Sequence, residues 1–99
     1  MPRLYNVEIT DFYDDDRACC SYPGQIRLEQ NDIFLSYIHE EIEFNFQGSE
    51  NGEGHYLLHG INNTEYKATL HRFNNSNIFE GYFYINDEKG MWRLKIQKD

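Results

Sequence analysis

Residues 26–46 decide the fold: Ile26-Arg27-Leu28-Glu29-Gln30-Asn31-Asp32-Ile33-Phe34-Leu35-Ser36-Tyr37-Ile38-His39-Glu40-Glu41-Ile42-Glu43-Phe44-Asn45-Phe46. Apolar side chains recur at every second position, the period of a strand with one face buried. Asn31-Asp32 interrupts the alternation and suits a two-residue hairpin turn. Closing the chain there pairs Leu28 with Leu35 and Ile26 with Tyr37. A loop at Ile38-His39-Glu40-Glu41 then pairs Tyr37 with Ile42, Leu35 with Phe44 and Ile33 with Phe46. Opposed residues in a hairpin share a face, so three strands build one apolar surface.

The same reasoning extends toward the C-terminus. A three-residue loop, Asn62-Asn63-Thr64, pairs Leu58 with Ala68 and Tyr56 with Leu70. A loop at Asn74-Asn75-Ser76-Asn77 pairs Leu70 with Gly81, Ala68 with Phe83 and Tyr66 with Ile85. A loop at Asn86-Asp87-Glu88-Lys89 pairs Phe83 with Trp92, Gly81 with Leu94 and Phe79 with Ile96. Eight strands follow, near 4–10, 25–30, 33–38, 41–47, 54–60, 65–73, 78–85 and 90–97, with an irregular segment at 11–24. The first strand, with Tyr5, Val7 and Ile9 inward, can close on the last and remove both exposed edges. The expectation is an all-β chain: one domain over 1–99, an antiparallel eight-stranded up-and-down meander closing into a barrel. A flattened β-sandwich is the rival. Ala68→Asp should unfold such a domain and Thr69→Asp should be nearly silent.

Composition supports this reading. Phe, Tyr and Trp make up 16% of the chain, and bulky rings suit a pleated face. No apolar run approaches the length of about 20 residues that crosses a bilayer as a helix. Met1-Pro2-Arg3-Leu4 leads into alternation with no apolar leader, which points to a cytoplasmic protein without membrane partners. Cys19 and Cys20 are neighbours and read as reduced thiols. The net charge is −8 and lopsided: residues 1–53 carry 12 acids against 3 bases, while residues 54–99 are nearly balanced. Such a field disfavours nucleic acid and favours a basic partner, or simply solubility.

Chemistry-bearing patterns are sparse. Asp14, Asp15 and Asp16, with Asp11 nearby, lack the spacing of a calcium loop. His55 and His59 are about 13 Å apart along a strand. His55 and His71 are expected as cross-strand neighbours, but no third ligand joins them. His39-Glu40-Glu41 reads as a solvated turn. On the outer face, register sets Glu80 between His71 and Lys95, Tyr82 between Thr69 and Arg93, and Tyr84 between Lys67 and Met91. No phosphate loop, nucleophile elbow or Cys/His framework is present, so neither an enzyme nor a metal or other cofactor is expected.

Glu80-Gly81-Tyr82-Phe83-Tyr84 and Gly90-Met91-Trp92-Arg93-Leu94 together resemble the final hairpins of lipocalin-like and avidin-like barrels. The resemblance implies barrel architecture alone. The first functional expectation is a non-enzymatic binding module, of inhibitor or immunity-blocker type, that docks a basic protein through an acidic surface. Asp14, Asp15, Asp16, Glu29, Glu40, Glu41 and Glu43 supply the charge, with Glu8 beside them. Tyr13, Tyr22 and Phe34 serve as exposed anchors. The second is a small-molecule-binding barrel using the inward residues Tyr5, Tyr37, Tyr56, Tyr66 and Trp92.

Overall fold

The computed structural model describes residues 3–13, 21–61, 63 and 65–97, and every regular element in it is a strand. The strands are β1 (Arg3–Tyr13), β2 (Ser21–Glu29), β3 (Asp32–His39), β4 (Ile42–Glu50), β5 (His55–Gly60), β6 (Lys67–His71), β7 (Ile78–Ile85) and β8 (Glu88–Ile96). Each pairs antiparallel with its chain neighbour, and β1 pairs with β8, so the sheet closes into a barrel. Every strand therefore has two partners, and the flattened sandwich is excluded. Both ends of the expected irregular segment are strand: residues 11–13 extend β1 along β8, and residues 21–24 begin β2.

One continuous face points inward. Val7, Ile9, Ile26, Ile33, Phe46, Leu70, Phe79 and Leu94 have no exposed surface, and Leu35, Ala68, Phe83 and Trp92 are nearly as enclosed. All sit on the inward phase expected from the alternation.

Three hairpins reach that phase through turns other than the expected ones: β2–β3 turns one residue earlier at the same length, while β3–β4 and β7–β8 turn through two residues instead of four. Ile26 pairs with Leu35, Leu35 with Phe46, and Phe79 with Leu94. Each register is displaced by two residues from the expected one, and an even displacement leaves every side chain on its own face. The turns are Gln30-Asn31, Glu40-Glu41 and Asn86-Asp87. Glu40, Glu41, Asn86 and Asp87 all have positive φ, between 52° and 68°. That geometry matches the twist of the flanking strands and needs no further loop residues. The displacement also reorders the outer face. Glu80 lies opposite Arg93 rather than Lys95, and Arg93 Nε donates to its carboxylate at 2.7 Å. Tyr82 faces Met91, and Tyr84 faces Lys89. The β5–β6 and β6–β7 registers are the expected ones, including Leu58 with Ala68 and Ala68 with Phe83.

Thr69 departs from the alternation. Ala68, Thr69 and Leu70 are buried in succession, and the β6–β7 ladder skips Thr69 and Leu70. A Cβ on Gly81 would collide with the Thr69 carbonyl, so only glycine admits this approach. The Thr69 hydroxyl accepts the Tyr82 N–H at 3.1 Å, and its carbonyl accepts the Trp92 indole N–H at 3.2 Å. The expectation that Thr69→Asp is silent is therefore overturned. Residue 69 is enclosed and holds two other strands.

Candidate functional site

The two ends of the barrel differ. The lower end carries the β2–β3 turn and is capped. Arg72 lies 5.1 Å over the Phe79 ring and donates from Nε to the Ser76 carbonyl at 2.7 Å. The upper end carries the β3–β4 and β7–β8 turns and opens into a pocket of about 290 Å³.

Alternation builds the pocket floor. The inward phase of β1 runs Tyr5, Val7, Ile9 and then Asp11, which sets a carboxyl group opposite Trp92 on β8. Asp11 is 3% exposed. The inward phase of β2 begins with Tyr22, whose hydroxyl donates to Asp11 Oδ2 at 2.8 Å. The other carboxyl oxygen, Oδ1, is enclosed and has no hydrogen-bond partner among the described residues. Burial pushes the Asp11 carboxyl above the usual carboxylate range; the Tyr22 hydrogen bond and the charge of His39 act in the opposite direction.

Aromatic rings form the wall. Tyr22 packs 5.3 Å from Tyr37 and 4.5 Å from His39. Tyr37 stacks on Phe44 at 5.0 Å and meets Trp92 edge-on at 6.2 Å. Glu40, on the adjoining turn, also lines the pocket, and its carboxylate lies 4.0 Å from His39 Nε2. The site thus combines ring faces with a partly satisfied carboxyl group.

Of the five inward residues expected to hold a ligand, only Tyr37 and Trp92 line this pocket. Tyr66 packs against Phe44 and Phe46 and donates to Asn86 Oδ1 at 3.1 Å. Tyr56 belongs to the lower end, 6.4 Å from Phe79. Burial and the charge of Glu50 raise its phenol above the ordinary value, against the lowering effect of Arg72. Tyr5 packs against the core near the start of β1.

The acids divide similarly. Glu40, Glu41 and Glu43 are exposed at or near the upper rim. Glu29 lies at the far end of the barrel, one strand length of about 23 Å away. Asp14, Asp15 and Asp16 are outside the described residues, as is the side chain of Tyr13. Phe34 is half-buried under the Arg27 guanidinium, 4.3 Å from its centroid. Tyr22, expected as an exposed anchor, is half-buried and turned inward, and His39 is part of the aromatic wall rather than a solvated turn.

Sequence reasoning missed Asp11, Tyr22 and His39 as members of one site. The signal was the continuation of period two by one step beyond Ile9 and one step before Gly24. His55 and His71 do meet across β5 and β6, with ring centroids 3.8 Å apart. Among the described residues, no group of three potential ligands is arranged to hold a metal ion, and no helix is long and apolar enough to cross a membrane.

Fold and pocket together define a small antiparallel β-barrel, filled for most of its length, with one aromatic mouth over a buried carboxyl group. No family model matches the chain, and no curated protein is significantly similar to it.

Proposed function

We propose that the protein is a non-enzymatic binding barrel that takes a small molecule into its upper mouth. The observation that carries this reading is the placement of the space. The interior is filled from Ile9 to Phe79, while the end walled by Tyr22, Tyr37 and Trp92 holds a pocket among the described residues. Pockets of this kind bind through apolar walls with a few placed polar groups. The described lining sets one buried carboxyl group among ring faces, an arrangement suited to orienting a small molecule.

Trp92 is the only tryptophan and reports on the mouth directly. A small-molecule screen should give a saturable change in its emission. Ile42→Phe, at an exposed rim position, should weaken that change by narrowing the opening while leaving Trp92 the sole tryptophan. The reading fails if no compound in a chemically broad screen saturates.

A second reading keeps the acidic surface as a dock for a basic protein. It is favoured by the grouping of Glu40, Glu41 and Glu43 near one rim, where steric occlusion of a partner would follow from steering. Affinity for a basic partner should then fall steeply with added salt; a flat salt dependence overturns it.

A further inference from the structure

We propose that the ligand of the upper mouth is an organic cation, an ammonium or amidinium group on a flat apolar body, held by Asp11. The inference rests on the small-molecule reading and adds the chemistry of the occupant. A buried carboxyl oxygen without a partner loses the hydrogen bonds water gave it. Asp11 is in that state at Oδ1, although Oδ2 is satisfied by Tyr22. An N–H donor from the mouth supplies the missing bond, and a charged donor supplies a stronger one.

The walls select the rest of the ligand. Tyr22, Tyr37, Phe44 and Trp92 present rings around the same space. Ring faces attract a cation when water is excluded, and they stack on a flat apolar body. Glu40 on the rim adds negative charge. An anion would meet Asp11, Glu40 and Glu88, against His39 as the opposing charge among the described lining residues. As the side chains stand, Oδ1 is closed to water. The ligand therefore reaches it by a small turn of the carboxyl group, a torsion that is broad for aspartate.

Three probes of nearly equal shape separate the possibilities: benzamidine, benzamide and benzoate, each titrated against the full chain by Trp92 emission and by calorimetry. Benzamidine should saturate and bind at least about tenfold more tightly than benzamide, with benzoate weakest. Asp11→Asn should remove that advantage, with its melting curve showing that the variant is folded. The wild-type protein gives an independent check, because benzamidine affinity should fall as Asp11 is protonated on acidification. Tyr22 on β2, Tyr37 and His39 on β3, Glu40 in the next turn and Glu88 on β8 are the other titratable groups lining the pocket among the described residues. The titration is therefore repeated in His39→Gln.

If benzamide or benzoate binds the mouth as tightly as benzamidine, or if Asp11→Asn leaves benzamidine affinity intact, the cation assignment is overturned and the small-molecule reading stands. If none of the three probes saturates, the cation assignment is overturned as well. The small-molecule reading then falls only with a failure of the broad screen.

Discussion

Thr69 and Asp11 carry consequences that their neighbours do not. Thr69 joins three strands through two acceptors, its hydroxyl for Tyr82 N–H and its carbonyl for the Trp92 indole. Thr69→Val keeps the shape and removes the hydroxyl, leaving the Tyr82 amide without its partner. The expected cost is about 1–3 kcal/mol in urea unfolding, and Thr69→Ser should cost clearly less because it retains the acceptor. Asp11 acts through charge. Its folded-state pKa is raised by burial, so folding disfavours the ionised form. That penalty is absent below the unfolded pKa and complete above the folded one. The wild-type protein therefore loses stability, relative to Asp11→Asn, as pH rises from acid toward neutral. Parallel melting curves should show the variant gaining on the wild type over that interval; a constant difference would show that Asp11 is not titrating there. A buried group that costs stability where it stands fits the role in binding proposed for it.

At the scale of elements, the turns are the informative pieces. Glu40 and Glu41 both adopt left-handed backbone at the β3–β4 turn, with φ of 52° and 68°. Such geometry suits Asn and Gly far better than two glutamates. The double variant Glu40→Asn, Glu41→Gly should stabilise the barrel by about 1–2 kcal/mol, read from the urea midpoint. No gain would mean that the turn is unstrained. The same feature explains why hairpin lengths were not legible. Glutamate pairs read as solvated loop residues, and Asn86-Asp87 was read within a longer loop ending at Lys89. The register error was two residues in each case, so Leu35, Phe46 and Leu94 still faced inward as the alternation required. Thr69 was illegible for another reason. Its burial comes from a close approach by Gly81, and the local pattern of Ala68-Thr69-Leu70 contains nothing that announces that contact.

For the molecule as a whole, closure is the consequential property. β1 pairs with β8 over seven residue pairs, from Val7 with Ile96 to Tyr13 with Gly90. A closed sheet has no free edge to pair with other chains. Native-state hydrogen exchange should therefore protect hydrogen-bonded amides of β1 and β8 as strongly as those of β3 and β4. Exchange about tenfold faster across both terminal strands would show that the seam opens before the rest unfolds. Closure also decides where the interior of the barrel can be reached. It fills the middle of the barrel with rings and branched side chains, caps the lower end with Arg72, and leaves the upper mouth.

The amino-acid sequence by itself determined which side chains face inward, because a period of two is a local property that survives any even slip between strands. It therefore determined the all-β class, the meander and the identity of the core from Ile26 to Ile96. Only the tertiary structure decided the pairing of turns, the approach of Gly81 to Thr69 and the meeting of Asp11, Tyr22, His39 and Trp92 at one mouth. Those contacts join residues far apart in the chain, and their positions are fixed by closure and strand stagger, which no short stretch of residues encodes.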